Sequence, residues 1–258
     1  MGFSFNGTTS QSMGLATRIT TENRMPDLRN NTITMPGHEG VFDFGETVGE
    51  RKIQISCFIP PGKSDADFLD LKDAIVAWLN PDNGLCPLIL DKEPGRVYSA
   101  RLNEGFSFDK AVRNSCTFDL VFLCPDPYAY AATDETFTIA AEGTSTVSRS
   151  LGNAYSLPVY SLTGVIPSGE YITVTTNGSA LQIDGTLSSG ETLVIDSALM
   201  TAKVVDSNGD TLRNGLPLLS ELNFSTLDVG ANTVTVAVSD DSAVTFTELE
   251  ISARSRWR

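Results

Sequence analysis

What this chain has little of limits its chemistry before any motif is read. It holds a single histidine, His38, so a histidine-centred catalytic or metal site would need other residue types to complete it. The four cysteines, Cys57, Cys86, Cys116 and Cys124, lack the CxxC spacing of zinc and redox sites. Free cysteine prefers interiors, so buried thiols are expected ahead of a disulfide or a metal role. No apolar run approaches the roughly 20 residues that cross a bilayer. The opening MGFSFNGTTS has neither the basic flank nor the continuous apolar stretch of an export signal. Bases are also scarce: 18 Lys and Arg stand against 32 Asp and Glu, giving a formal net charge of -14 and a pI near 4.4. Long-range repulsion therefore opposes binding to phosphate backbones or anionic lipid. The same acidity keeps a concentrated subunit soluble. The glycines form no GxGxxG or GxxxxGK cradle for phosphate, and no GxSxG nucleophile elbow occurs.

What is there suits a folded protein. With 258 residues, 41% of them hydrophobic, the chain can bury one large core or two smaller ones. Polar, irregular sequence from Thr20 to Asn31 reads as an extended arm or long loop. Beyond it, Ile53, Ile55, Cys57 and Ile59 recur with period two, placing them on one strand face with Lys52, Gln54 and Ser56 on the other. Pro60-Pro61-Gly62 ends that strand. A helix is expected next, with Ser64 as its cap, Asp67 in the reciprocal acidic position and Asp65 near the positive helix end. Phe68, Leu69 or Leu71, Ile75, Val76 and Leu79 supply its apolar side, which must cover a sheet. Strand-like runs follow in CPLILD, RVYSARLNEGFSFD and SCTFDLVFLC. In the last, Cys116, Phe118, Leu120, Phe122 and Cys124 share one face, while Val121 and Leu123 make the other apolar. Such a strand lies between layers or under another subunit.

Pro125-Asp126-Pro127 is the expected domain boundary, because each proline removes a ladder donor and restricts its predecessor. It divides the chain into residues 1–130 and 131–258. After Pro127 the only bases are Arg149, Lys203, Arg213, Arg254, Arg256 and Arg258. The second part is rich in Thr, Ser, Val and Gly, in short alternating runs separated by turn signals, which reads as an antiparallel sandwich or jelly roll. Asn177-Gly178, Asn208-Gly209 and Asn214-Gly215 are read as hairpin turns tolerating positive φ. Val234, Val236 and Val238 face inward. Val244 and Phe246 share one parity and Leu249 and Ile251 the other, so a bulge or bend near Thr247 is expected.

Candidate sites are thin. His38 with Glu39, Asp43 and Glu46 has the ligand chemistry of a mixed carboxylate-imidazole metal site, against the plainer reading of ordinary hydrogen bonding. Glu104 with Asp109, and Asp240 with Asp241, are carboxylate pairs whose glycosidase use would require a defined separation flanking a bond; acids beside glycine-rich turns are commonly turn formers. Asp206 to Asp210, DSNGD, offers oxygen ligands without a full calcium loop. A glycan site would need an exposed aromatic platform, and aromatic side chains are sparse in the second part, among them Tyr155, Tyr160, Tyr171, Phe224, Phe246 and Trp257. The closing Arg254, Arg256, Trp257 and Arg258 form a short basic-aromatic tail suited to docking on an acidic neighbour or on its own domain.

Read in order, GFSFNG, MPGHEGVFDFG, KIQISCFIP, LKDAIVAWLNP, PLILD, CTFDLVFLCPDPYAY, GNAYSLPVYSLTG, ETLVID and LDVGANTVTV resemble the distal tail protein family of siphophages over nearly the full length. Each motif alone is weak, and their order and spacing carry the match. The resemblance implies a mostly β chain with one helix: an N-terminal β-sandwich with a belt-like arm, then a C-terminal galectin-like or carbohydrate-module-like jelly-roll sandwich. It implies a structural protein of the virion tail, assembled in the host cytoplasm, with no catalytic residue, metal or cofactor. The expected assembly is a homo-oligomeric ring, a hexamer, at the distal end of the tail. Its expected partners are the tail tube protein, a tail-associated tip protein and a receptor-binding protein, with DNA passing through the channel unread. Carried over residue by residue, Pro36, Gly37, His38, Gly40, Phe42, Phe44 and Gly45 are ring-interface candidates. Leu71, Ile75 and Leu79 correspond to the packed helix, Pro125 and Pro127 to the end of the first domain, and Gly230 and Asn232 to a turn before the strand of Val234 and Val236. The rival readings are a carbohydrate-binding attachment module, a carboxylate glycosidase and another β-rich tail protein such as a tube subunit.

Overall fold

The structure, a computed structural model, describes residues 2–22, 25–240 and 242–258. It divides into two compact units, Met1–Ala132 with Arg258, and Thr133–Trp257. In the first, the strands are β1 (Phe3–Phe5), β2 (Thr8–Thr9), β3 (Ala16–Glu22), β4 (Leu28–Ile33), β5 (Phe42–Val48), β6 (Arg51–Ile59), β7 (Cys86–Leu90), β8 (Arg96–Leu102), β9 (Asp109–Val112), β10 (Ser115–Cys124) and β11 (Ala129–Ala131). They follow the hydrogen-bonded order β2-β1-β7-β8-β10-β6-β3, with β9 on β10, β11 on β8, and β4-β5 as a separate two-stranded hairpin.

The spine of this unit is β6 against β10, antiparallel from Cys116↔Ile59 to Cys124↔Arg51. The period-two pattern of β6 is fully expressed. Ile53, Ile55, Cys57 and Ile59 are at most 3% exposed, while Lys52, Gln54 and Ser56 are half-buried. Each buried isoleucine contributes about 2 kcal/mol of apolar transfer energy. On β10, Phe118, Leu120, Phe122 and Cys124 are buried, and Leu123 is buried on the opposite parity. The strand is central, flanked by β6 and by β8 and β9.

The helix α1 spans Asp65–Trp78. The Ser64 hydroxyl accepts the Asp67 N–H at 3.1 Å and donates to the Asp67 carboxylate at 2.7 Å, so Asp67 closes on the cap's side chain rather than on its backbone. Its inward stripe runs through Phe68, Leu71, Ile75, Trp78 and Leu79, with Ile75 and Leu79 fully buried. Leu69 and Val76, expected on that side, are 57% and 53% exposed. They lie one position off the stripe, and Trp78 fixes the phase. Its ring stacks on Phe3 at 5.5 Å and its indole N–H donates to the Phe5 carbonyl at 2.9 Å. Phe3 and Phe5 in turn meet Phe122, at 5.6 and 5.1 Å, joining β1, α1 and β10 in one core.

The second unit contains β12 (Thr136–Ile139), β13 (Gly143–Arg149), β14 (Val159–Val165), β15 (Ile172–Thr176), β16 (Ser179–Ile183), β17 (Thr192–Asp196), β18 (Thr201–Val205), β19 (Thr211–Asn214), β20 (Gly230–Val238), β21 (Thr245–Ser252) and β22 (Arg256–Trp257). Two antiparallel sheets form, ordered β12-β21-β14-β17-β18-β19 and β13-β20-β15-β16. Tyr160, Leu162, Leu193, Ile195, Leu249 and Ile251 from the first meet Val147, Ile172, Val174, Ile183, Val234 and Val236 from the second in one apolar core.

Turn chemistry explains the β15-β16 hairpin, where Asn177 and Gly178 take φ 49° and 85°. Asn214-Gly215 is not such a turn. Gly215 has φ -91° and leads into the short helical turn Leu216–Leu218. A Cβ there would lie 2.6 Å from Leu193 Cδ1 and 2.9 Å from the Lys203 nitrogen, so close packing, not positive φ, demands glycine. The expected bulge is present: Thr163 pairs with Glu248 and Gly164 with Phe246, leaving Thr247 as the extra residue of β21. This lets Val244, Leu249 and Ile251 all reach the core.

Candidate assembly surfaces

The β4-β5 hairpin collects the ring-interface candidates. Pro36, Gly37, His38 and Gly40 lie on the connection between its strands, and Phe42, Phe44 and Gly45 belong to β5. Gly37, Gly40 and Gly45 take φ of 83°, 89° and 88°, with nothing within 4 Å of an added Cβ; backbone conformation alone calls for glycine. Gly45 sits at the register shift opposite Asn30–Thr32, and its N–H donates to the Asp43 carboxylate at 2.9 Å. Beyond the shift, Ile33 pairs with Phe42, and His38 packs on the Phe42 ring at 4.8 Å.

All of these side chains are exposed, Phe44 to 67% and Ile33 to 55%. Of the seventeen exposed large apolar side chains among the described residues, seven fall between Met25 and Phe44. Leu28, Ile33, Met35 and Val41 join the candidates by this criterion; their apolar character was visible in the sequence, but only the hairpin register pairs Ile33 with Phe42, while Leu28 pairs with Val48 at the other end. Exposed apolar side chains are concentrated on this separate two-stranded hairpin, the kind of surface that proteins use for interaction.

The remaining sequence candidates are structural. Among the described residues, no group of three His, Cys, Asp or Glu is placed to hold a metal. Asp206 is a turn former whose carboxylate accepts the N–H groups of Asn208 and Asp210, both at 2.9 Å. Asp240 does the same for Ser242, and Asp241 lies outside the described residues. Glu104 is on the connection after β8, and Asp109 opens β9. A cleft of about 520 Å³ beside α1 offers the carboxylate of Asp65, already engaged by Arg113 and Asn114.

The aromatic set is dispersed. Tyr160 is buried, hydrogen-bonded to Thr176 and Ser225, and Tyr155 has the Arg256 guanidinium 4.7 Å over its ring. The four cysteines are buried free thiols, and burial pushes Cys57 and Cys124 up to about 12. Pro127 accepts the Arg51 Nε–H at 2.9 Å through its carbonyl, while Pro125 is exposed. Gly230, at φ 91°, opens β20, and Asn232 is its third residue, so both belong to the strand and not to a turn ahead of it. Asn232 is buried. It donates to the carbonyls of Asp228 and Gly230 and accepts the Asp228 N–H and the Asn177 amide.

Residues 254–256 of the basic tail bond to side chains and backbone of the second unit. Arg254 grips Asp196 with two bonds of 2.8 Å, Ser255 donates to Asp134 and Glu135, and Arg256 donates to the Tyr155 carbonyl at 2.7 Å. Burial alone would raise Asp196, but the Arg254 guanidinium and the Leu199 and Ala198 amides bring it below the ordinary carboxylate value.

The sequence matches the family described as Phage tail protein RIFT-related domain over residues 10–124, and the family described as Siphovirus-type tail component, C-terminal domain, over residues 151–249. The chain belongs to the distal tail protein family of siphophages. Members of that family are structural components of the phage tail tip, and this chain is one of them. Its fold is similar to the crystal structure of SPP1 Dit (gp 19.1), described as a paradigm of the hub adsorption apparatus in phages infecting Gram-positive bacteria. The TM-score is 0.75 at 15% identity, covering 97% of this chain and 96% of that one. Two structures of the phage p2 baseplate in its activated conformation, with calcium and with strontium, give TM-scores of 0.49 and 0.48. They are 9% and 10% identical, cover 94% and 91% of this chain, and are themselves covered to 90% and 89%. No curated protein matches the sequence.

Proposed function

We propose that this chain is a non-enzymatic hub of the tail tip: residues 1–130 close a six-subunit ring at the distal end of the tail tube, and residues 131–258 form a jelly-roll sandwich on it. The tube protein sits on one side and the tip protein and receptor-binding protein on the other, with DNA passing through the channel. The observation that carries this reading is the apolar β4-β5 hairpin. An acidic chain with net charge -14 repels its own copies at long range. Subunits of such a chain associate through a surface where contact, not charge, supplies the energy, and Ile33, Phe42 and Phe44 supply it here. Because one copy's arm meets a different surface on the next, the interface is heterologous, and cyclic closure limits it to a ring.

Electron microscopy and mass photometry of the purified protein across a concentration series test this reading. Closed rings with a central hole are expected as concentration rises; species no larger than a dimer at every concentration would count against it.

A further inference from the structure

Four strands end the two sheets of the second unit, and three of them are guarded. β12 and β19 have only four residues each, and β19 pairs with β18 through a register shift at Val204 and Val205. β16 is covered: Ile183 bridges to Leu219, and the Ser220 N–H donates to the Gln182 carbonyl at 3.1 Å. The fourth, β13, has none of these protections. It runs seven residues in unbroken register with β20, from Gly143↔Val236 to Arg149↔Gly230. It contains no proline, and its one charged residue, the inward-facing Arg149, is confined to its last position, leaving Gly143 to Ser148 without charge. Unprotected edges of this length are templates for strand addition, and proteins blunt them unless they are used.

The face beside this edge is also neutral. Thr144 and Thr146 of β13 pair with Thr235 and Thr233 of β20, the first pair sharing a hydroxyl hydrogen bond of 3.0 Å. Charge returns only at the ends. Glu142 is exposed immediately before β13, and the Glu135 carboxylate accepts the Ser150 N–H at 2.8 Å just after it. Burial would raise Glu135, but donation from Ser150, Ser255 and the Leu151 N–H holds it below its usual value, so it is anionic at neutral pH.

We propose that β13 receives an added strand from a protein partner: an extended segment about 23 Å long, uncharged at its centre, with basic residues at its ends facing Glu142 and Glu135. In this chain the run Arg96–Leu102 has basic residues flanking an uncharged centre, but it is already paired with β7 and β11, so a second copy does not offer it as a free strand. The partner's backbone would complete the β13 ladder, and its alternate side chains would lie beside the threonine rows. This site lies in the second unit and does not depend on the arm of the first.

The test uses the full chain with three synthetic peptides sharing a Thr-Val-Thr-Val-Thr centre: one with two lysines at each end, one with two glutamates, and one with lysines but a central proline. Fluorescence anisotropy reads binding, and hydrogen exchange reads protection of residues 143–149. The lysine peptide is expected to bind saturably, weaken with salt and slow exchange in β13, while the glutamate and proline peptides do neither. Thr146→Lys is expected to abolish the effect without lowering the melting temperature; Thr146→Ser, which keeps the edge neutral, is expected to retain it. Equal binding of all three peptides, no added protection in β13, or protection that grows with protein concentration in the absence of peptide would each overturn the proposal.

Discussion

Arg149 shows how far one residue's role can lie from its sequence neighbourhood. Its side chain donates to the Leu227, Leu151 and Ala154 carbonyls and to the Ser255 hydroxyl. Replacing it with leucine strands these acceptors in the interior, so Arg149→Leu is expected to cost about 3 kcal/mol or more in urea unfolding. The sequence shows only an isolated base after a threonine-rich run, because two of its partners lie 78 and 106 residues away. Asn232 was legible as a special position but not as a buried hub, because its bond to Asn177 spans 55 residues even though Asp228 and Gly230 are close by. The cysteines were readable from burial preference alone. With Cys57 and Cys124 raised to about 12, the unfolded chain releases their protons near pH 9 while the folded chain retains them. Their contribution is therefore intact below about pH 8.5 and is lost as pH rises, at about 1.4 kcal/mol per unit for each thiol. Denaturant midpoints from pH 8 to 11 should fall accordingly, and less steeply in Cys57→Ala than in the parent protein.

Elements were most legible where periodicity was set by one buried face. β6 and β10 alternate as their sequences do, and the parity break in β21 announced its bulge at Thr247. What the pattern of β21 does not reveal is the partner that makes room. At Gly164 an added Cβ would stand 2.5 Å from the Thr245 carbonyl oxygen. Gly164→Ala is expected to destabilise by about 2 kcal/mol, measured by thermal unfolding of the pair. The helix was legible in its existence and cap but not in its phase, since Leu69 and Val76 are as apolar as Leu71 and Ile75. Only the stacking of Trp78 on Phe3, 75 positions earlier, decides between them. Asn214-Gly215 misled for a related reason: the dipeptide signals a hairpin turn, while Gly215 is required by the backbone of Ala202 and Lys203 packed against it.

At the scale of the whole molecule, the order of motifs pointed to the tail protein family, and an acidic composition weighed against phosphate backbones and anionic lipid as partners. The arm is where sequence reading ran short. Its glycines and aromatics were visible as candidates, but the patch exists because the β4-β5 register places Ile33 beside Phe42 while leaving both exposed. The central claim is that this patch closes the ring. The most direct measurement is the particle distribution, by mass photometry with electron microscopy of the same samples, of the parent protein beside Phe42→Asp/Phe44→Asp. Both residues are exposed, so circular dichroism melts of the two proteins should coincide within a few degrees. The account predicts closed rings for the parent and monomers for the variant at the same concentration. Rings of equal abundance from the variant, with its fold intact, would contradict it.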